Sequence, residues 1–239
     1  MSLVDPAAPG TGEVLDASTP RPLAIDAVLF DLDGTLVDTA PDLCAALNRV
    51  RVARGLPQLP IEALRPYASH GARGLIGAGF DVAPDHAGYV ELRDAFLDQY
   101  AGSLCVDSAV FDAVEDVLDA IEERGLAWGI VTNKATRYTL PLLEALGLAA
   151  RAQVIVCGDT TPHAKPHPAP LLAAAERLGV PPARCLYVGD AERDVAAGIA
   201  AGMLTVVARY GYIAPHETPD TWPAHAHVVQ ARDLIAWLP

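Results

Sequence analysis

The sequence has very little lysine. Of its 17 basic side chains only two are lysines, Lys134 and Lys165, and the rest are arginines. The 30 acidic residues outnumber the basic ones, which gives a formal net charge of −13. A protein that binds nucleic acid needs a basic surface for the phosphates, so we expect no nucleic-acid partner. Because lysine is so scarce, the positions of the two lysines are informative.

Cysteine is also scarce, and long apolar runs are missing. Cys44, Cys105, Cys157 and Cys185 lie 28 or more residues apart, too far for the short spacings of zinc or redox motifs, so we expect reduced, packed thiols. No apolar stretch approaches the roughly 18 residues of a membrane-spanning helix, and no signal-peptide pattern opens the sequence. We therefore expect a cytoplasmic protein with no membrane partner.

Short apolar runs alternate with helical patterns along most of the chain. Five runs predict buried strands: Ala27–Phe30, Leu126–Val131, Val154–Cys157, Cys185–Val188 and Leu204–Ala208. Helical patterns lie at 111–124, 136–146, 168–178 and 191–201. Such repeats predict an α/β fold, a Rossmann-like parallel sheet with helices on both faces. Sites in such sheets lie at the carboxyl ends of the strands, and four of the five runs end at or beside Asp, Thr or Gly.

Residues 40–105 interrupt this alternation, because no convincing strand pattern occurs there. Asp42–Arg54 and Ala87–Ala101 have helical spacing, and the glycine-rich segment Gly71–Gly79 lies between them. We predict a small all-helical domain at 40–105, inserted after the first strand of a core domain formed by 23–39 and 106–239. Residues 1–22 are rich in Pro, Gly, Ser and Thr, which predicts a flexible tail.

Two aspartates, Asp31 and Asp33, follow the first predicted strand in the segment DLDGT. Two carboxylates this close repel each other unless a cation lies between them. Oxygen ligands select a hard ion, and a site with few carboxylates plus water suits Mg²⁺ better than Ca²⁺. The alternative interpretation is a strand-to-helix turn in which the acids only cap backbone N–H groups.

Together with three further motifs, this segment resembles the haloacid dehalogenase-like hydrolase superfamily, most of whose members are aspartyl-phosphate phosphatases. Ile130–Lys134 (IVTNK) is similar to the second motif of that family, and Lys165-Pro166 is similar to the third. Val188–Asp194 (VGDAERD) is similar to the fourth. The motifs occur in the order of the family, and the resemblance covers residues 25 to about 213.

The resemblance implies a role for each polar side chain. Asp31 would be the nucleophile that attacks phosphorus, and Asp33 would protonate the leaving oxygen and then activate water. Thr132 and Asn133 would bind the substrate, Thr132 through a phosphoryl oxygen, and Lys165 would neutralise negative charge. The implied Mg²⁺ ligands are Asp31, the main-chain carbonyl of Asp33, Asp190 and Asp194. Lys134 is either a further site residue or a solvated side chain.

The inserted segment resembles the helical cap of the phosphoglycolate phosphatase branch. Ser69–Gly74 (SHGARG) resembles the substrate-facing turn of that branch, which implies that Arg73 and His70 contact the substrate. Trp128–Lys134 and Arg209–Ile213 also resemble N-acetylmuramic acid 6-phosphate phosphatases. Both substrates are small phosphorylated metabolites with a carboxylate, so both stay open. The sequence also leaves open whether the protein is a monomer or a homodimer.

Other activities fit the motifs less well. Dehalogenases generally lack the second acid that Asp33 supplies, and phosphonatases use a cap lysine, whereas 40–105 contains none. Sugar phosphomutases keep both acids and remain an alternative. Signalling receiver domains, which are non-enzymatic, also use an Asp, a Thr and a Lys on a parallel sheet. They are usually about half this length and place their acidic pair before the phosphorylated Asp.

Overall fold

A computed structural model describes residues 23–239, and the predicted flexible tail at 1–22 lies outside the described residues. The strands of the described part are β1 Ala27–Phe30, β2 Val37–Asp38, β3 Ala109–Val110, β4 Ala127–Val131, β5 Val154–Val156, β6 Cys185–Gly189, β7 Leu204–Ala208 and β8 Ala226–Val228. Six of them form one entirely parallel sheet with the order β5-β4-β1-β6-β7-β8. The predicted parallel sheet is therefore confirmed.

Helices make up most of the remaining structure. The α-helices are α1 Ala40–Ala53, α2 Ile61–Leu64, α3 Gly71–Phe80, α4 Tyr89–Ala101, α5 Val114–Glu123, α6 Thr136–Ala145, α7 Ala169–Leu178 and α8 Glu192–Ala200. Short 3-10 helices occur at Arg65–His70, Pro182–Arg184, Pro219–Thr221 and Ala231–Trp237. Among the described helices, none has the length and apolar character needed to cross a membrane.

The sheet has an apolar core on each face. Along β1, Val28 and Phe30 belong to a core shared with α5 and α6, whereas Ala27 and Leu29 belong to a core shared with α7 and α8. Successive side chains of a strand point to opposite faces, so a strand covered on both faces is apolar throughout. This explains the unbroken apolar run of β1 and confirms the prediction of helices on both faces.

The register of the sheet places three strand ends side by side. Phe30, the last residue of β1, pairs with Ile130 of β4 on one side and with Val188 of β6 on the other. Because the three strands are parallel and end at nearly the same level, the residues that follow them meet at one edge of the sheet. Those residues include the predicted site residues Asp31, Thr132 and Asp190.

Helices α1–α4 form an all-helical unit with its own apolar core, and we call this unit the cap. A Cβ atom on Gly79 of α3 would lie 2.6 Å from Cδ2 of Leu47, so the glycine lets α3 approach α1 closely. The predicted turn at 69–74 is partly wrong: Ser69 and His70 end the 3-10 helix Arg65–His70, and α3 begins at Gly71. Arg73 therefore lies on a helix. The domain limits 40–105 stay a prediction.

The chain passes between sheet and cap twice, and the two passages pair with each other. They are β2 and β3, which are antiparallel, with Val37 opposite Val110 and Asp38 opposite Ala109. Next to them, the carboxylate of Asp42 in the first turn of α1 accepts the backbone N–H groups of residues 106–108 and the hydroxyl of Ser108. The entry and exit of the cap are thus joined by hydrogen bonds.

Candidate active site

Asp31 lies directly after β1 and lines a cavity of 970 Å³ between the sheet edge and the cap. Its backbone N–H donates to the carbonyl of Val188 on β6 at 2.8 Å, and its side chain is buried. Oδ1 lies 2.8 Å from Nζ of Lys165. Burial raises the pKa of Asp31, and the charge of Lys165 offsets this only in part. The carboxylate is therefore poorly solvated.

Lys165 is the most enclosed cation of the site. Its side chain has no exposed surface, and Nζ also lies 2.8 Å from Oδ1 of Asp194. Nζ donates in addition to the backbone carbonyl of Val131 at 2.8 Å and to the hydroxyl of Tyr187 at 2.7 Å. A buried ammonium needs such partners to offset its lost hydration. The predicted pairing of this scarce lysine with the nucleophile position is present in the structure.

Three buried carboxylates come together beside Lys165. The side chains of Asp31, Asp190 and Asp194 each place an oxygen so that these atoms all lie within 4.8 Å of one another. Burial and the neighbouring negative charges raise the pKa of Asp190 well above its usual value. Burial also acts on Asp194, but the charges of Lys165 and Arg193 outweigh it and lower its pKa. Such an all-oxygen cluster suits a hard cation.

The Asp190 carboxylate is fixed from both sides. Oδ1 accepts the hydroxyl of Ser69 from the cap at 2.9 Å, and Oδ2 accepts the backbone N–H of Tyr212 at 2.8 Å. Gly34 approaches the same carboxylate with a φ of +85°, and a Cβ there would lie 2.0 Å from Oδ2. The glycine of the DLDGT segment is therefore required twice, once for its backbone conformation and once for space.

Asp33, the second acid of the segment, lies outside this carboxylate cluster. Its Oδ1 accepts a hydrogen bond from Thr39 Oγ1 at 2.5 Å and lies 2.8 Å from Nζ of Lys134. The side chain lines the cavity together with Asp31. The structure thus separates the two acids, since Asp31 pairs with Lys165 and Asp33 pairs with Lys134. That the main-chain carbonyl of Asp33 binds the metal stays a prediction.

Thr132 and Asn133 follow β4 and also line the cavity. Thr132 Oγ1 accepts the backbone N–H of Lys134 at 3.1 Å, and its own N–H donates to the carbonyl of Val156. The Asn133 amide exchanges two hydrogen bonds, both 2.9 Å, with the backbone of Lys165. Asn133 therefore fixes the segment that carries Lys165, and contact with the substrate through its amide remains untested.

The cap reaches the site through Ser69 and His70. Arg193, in the first turn of α8, donates to the Ser69 carbonyl at 2.8 Å and to the Ser69 hydroxyl at 2.9 Å. Its other terminal nitrogen lies 3.2 Å from Nδ1 of His70, whose Nε2 lies 3.4 Å from Glu217. Burial and the Arg193 charge lower the pKa of His70. Arg193 also lies 4.0 Å from Oδ2 of Asp31, so it connects Asp31 to the cap.

Arg73, the predicted anion contact, lines the cavity from α3. Its side chain is exposed, and within residues 23–239 it makes no ion pair or side-chain hydrogen bond. Arg137, at the start of α6, lines the same cavity. A guanidinium without a protein partner is available to an anionic ligand, which is consistent with the predicted role of Arg73.

Comparison with known proteins decides the family. A family model described as haloacid dehalogenase-like hydrolase matches residues 25–202. The chain belongs to this family. It is 43% identical over 213 residues to N-acetylmuramic acid 6-phosphate phosphatase of Pseudomonas aeruginosa, which covers 89% of this chain and 94% of the relative. It is 44% identical over 213 residues to a phosphoglycolate phosphatase of Xanthomonas campestris, covering 89% and 95%.

The fold of this haloacid dehalogenase-like hydrolase is also found in solved structures. A predicted phosphoglycolate phosphatase from Haemophilus somnus matches with a TM-score of 0.78 and 27% identity, over 89% of this chain and 97% of that one. The predicted family, enzyme class and phosphatase relatives are therefore confirmed. A receiver domain, the non-enzymatic alternative, is not supported by any of these relatives.

Two cations of the site were not assigned a role from the sequence. Arg193 lies within the fourth motif, but the residues of that motif do not indicate that the Arg193 side chain contacts the cap. Lys134 stands beside the second motif, and its side chain is 8% exposed, so the solvated alternative is wrong. The scarcity of lysine was a signal for Lys134, whereas nothing in the composition distinguished Arg193 among the arginines.

Proposed function

We propose that this haloacid dehalogenase-like hydrolase cleaves phosphate monoesters through an aspartyl phosphate at Asp31. The observation that carries the proposal is the buried Asp31 carboxylate, paired with Lys165 at 2.8 Å, on the wall of a cavity that Asp33 also lines. Pairing orients the nucleophile and limits its hydration, and a second acid on the same wall can manage the protons.

The reaction balances with these two acids. An Asp31 oxygen forms a bond to phosphorus while the ester P–O bond breaks, and Asp33 gives its proton to the leaving oxygen. Asp33, now a carboxylate, then takes a proton from water as the water oxygen bonds to phosphorus. The P–O bond to Asp31 breaks in that step, which releases phosphate and restores both side chains. Thr132 would donate a hydrogen bond from its hydroxyl to a phosphoryl oxygen, and Lys165 would hold Asp31 in place.

Mg²⁺ is the metal that we propose for the carboxylate cluster. When ionised, the three carboxylates carry three negative charges, against two positive charges on the neighbouring Lys165 and Arg193. All the atoms that could bind a metal in this cluster are oxygens. When bound, Mg²⁺ would neutralise phosphoryl oxygens. Asp31 and Asp190 would hold it. Asp194 contacts Lys165 and accepts the N–H of Ala191 at 3.1 Å, so it would complete this set of ligands or orient it.

For the substrate we propose a small phosphorylated metabolite with a carboxylate, bound by Arg73. 2-Phosphoglycolate is the first candidate, because several relatives are named phosphoglycolate phosphatase. N-acetylmuramic acid 6-phosphate is the second, and the cavity volume of 970 Å³ favours it. That volume is near the upper end of the usual range for ligand pockets, roughly 300–1,000 Å³.

Steady-state kinetics on 2-phosphoglycolate, N-acetylmuramic acid 6-phosphate and glucose 1-phosphate tests this proposal. We expect release of inorganic phosphate, a preference for the carboxylated substrates, and loss of that preference in Arg73→Ala. Asp31→Asn should lose turnover by about 10³-fold or more and keep the circular dichroism of the parent. Isomerised sugar phosphate in place of free phosphate would identify a phosphomutase. Full activity of Asp31→Asn would contradict the mechanism.

A further inference from the structure

Lys134 is a buried cation that the reaction as described above does not use. Its side chain is 8% exposed, and Nζ lies 2.8 Å from Oδ1 of Asp33. Nζ also lies 4.7 Å from the centre of the Tyr100 ring, which α4 of the cap supplies. A cation over an aromatic ring gains electrostatic stabilisation from the ring face. The ammonium is therefore held between a core carboxylate and a cap ring.

The backbone of Lys134 is fixed as firmly as its side chain. Its N–H donates to Thr132 Oγ1 at 3.1 Å, and its carbonyl accepts the N–H of Gly158 at 2.9 Å. Burial alone would lower the pKa of Lys134, but the contacts with Asp33 and Tyr100 together outweigh it and raise the pKa. The side chain thus stays charged, and its position relative to Asp33 is set by several contacts at once.

Both donors to Asp33 meet at the same oxygen. Thr39 Oγ1 donates to Oδ1 at 2.5 Å, and Lys134 Nζ approaches that same atom. A carboxyl group held in this way presents its oxygens unequally, since Oδ1 is saturated with donors. The proton that the group can give away then belongs on Oδ2, the oxygen to which neither Thr39 nor Lys134 is bonded.

We propose that Lys134 is a positioning residue that fixes the Asp33 carboxyl group so that Oδ2 delivers the proton to the leaving oxygen. This inference rests on the proposed phosphatase function and deepens it. Thr39, which follows β2, fixes the same Asp33 oxygen through its hydroxyl. The Tyr100 ring makes the position of Lys134 depend on the cap. Lys134 acts through Asp33 and need not touch the substrate.

The leaving group provides a selective test of this role. An alkoxide needs a proton as it leaves, whereas p-nitrophenolate is stable without one, so only alkyl phosphates depend strongly on the general acid. The ratio kcat/KM reports the steps up to the release of the leaving group. A merely structural defect should lower kcat/KM for both substrates alike, whereas a misplaced Asp33 should lower it mainly for the alkyl phosphate.

The experiment measures kcat/KM of the full chain with Mg²⁺ for p-nitrophenyl phosphate and for the best alkyl phosphate of the substrate panel. Variants are Lys134→Met and Thr39→Val, with Asp33→Asn as the reference for complete loss of the acid. Arg151→Met is the matched control, because Arg151 pairs with Asp119 and Glu122 on the surface, away from the cavity. Thermal unfolding shows which variants fold.

For Lys134→Met we expect kcat/KM to fall about 10- to 100-fold on the alkyl phosphate and no more than about threefold on p-nitrophenyl phosphate. Thr39→Val should shift the ratio in the same direction by less, and it decides the test if Lys134→Met does not fold. Equal losses on the two substrates would overturn the inference. If the parent hydrolyses neither, or Asp33→Asn shows no selectivity, the proposed function itself fails.

Discussion

Lys165 and Asp194 form an ion pair that is closed to solvent: the two side chains are 0% and 1% exposed, and Nζ lies 2.8 Å from Oδ1. The same ammonium also lies 2.8 Å from Oδ1 of Asp31, the proposed nucleophile, so one cation pairs with two carboxylates of the cluster. Because the three groups share one small volume, any change to one of them alters the charge balance of the others.

Removing this cation should destabilise the protein as well as inactivate it. Lys165→Met leaves Asp31 and Asp194 buried without their partner, which we expect to lower the free energy of unfolding by about 3–5 kcal/mol. Urea denaturation measures it. Lys165→Met combined with Asp194→Asn should lose less than the sum of the single changes, because they share one interaction. Strict additivity of the two losses would contradict the coupling.

Metal binding should raise thermal stability through Asp190. A ligand that binds only the folded state stabilises it by about 2.7 kcal/mol at one hundred times its Kd. Excess Mg²⁺ should therefore raise the Tm of the chelator-treated protein, and activity should return with it. Asp190→Asn should show a much smaller rise in Tm. An equal rise in the variant, or activity that survives EDTA, would remove Asp190 or the metal from the proposal.

In the metal-free protein, the contribution of Asp31 and Asp190 to the free energy of unfolding should fall as the pH rises from acid toward neutral, whereas the lowered pKa of Asp194 acts in the opposite direction. Burial raises the pKa values of Asp31 and Asp190, so the folded state binds protons that the unfolded chain has released. The stabilisation is complete below the unfolded pKa and is lost as the pH passes the raised folded values. For each group the slope is at most about 1.4 kcal/mol per pH unit.

Urea denaturation in EDTA at several pH values measures this slope. Asp190→Asn should shift the slope of the free energy of unfolding against pH in the positive direction, because the neutral amide no longer releases a proton. Asp119→Asn, a change at an exposed carboxylate, serves as the control and should keep the slope of the parent. A slope that is the same in all three proteins would show that Asp190 is not the source of the pH dependence.

The contact between Arg193 and the cap should control how firmly the cap closes. Arg193→Gln removes the charged hydrogen bonds to Ser69 and leaves His70 with one partner fewer. Hydrogen bonds from charged donors contribute about 1.5–3 kcal/mol each. Hydrogen exchange of residues 65–70 should become faster in the variant, and kcat/KM should fall at least about tenfold. Unchanged exchange at 65–70 would show that the cap closes without Arg193.

The sequence predicted the sheet because its strands are buried on both faces and are therefore apolar throughout. β2 and β3 are only two residues long, which is too short for a pattern to develop, and both were missed, as was the three-residue edge strand β8. Helix α3 was missed as well. Glycine has a low helix propensity, so the glycines of this segment do not predict a helix. One of them, Gly79, is nevertheless needed because α3 packs closely on α1 there.

The site was predictable where residues follow neighbouring strands, because parallel strands bring their carboxyl ends together. Asp31, Thr132 and Asp190 are of this kind. Contacts that depend on how the cap lies over the sheet were not predictable, since they join residues far apart in sequence. Arg193 with Ser69 and Lys134 with Tyr100 are such contacts. The position of a long, flexible side chain is set by partners that no local pattern encodes.

The pairing of β2 with β3 also bears on how such an enzyme can evolve. Opposite residues of an antiparallel pair have Cα atoms only about 4.5–5.5 Å apart, so Asp38 and Ala109 nearly touch. A segment whose two ends are this close can be exchanged for a short turn or for a different domain without stretching the sheet. If the cap selects the substrate as proposed, substrate range can diverge by exchange of the cap while the sheet and the residues at its edge stay the same.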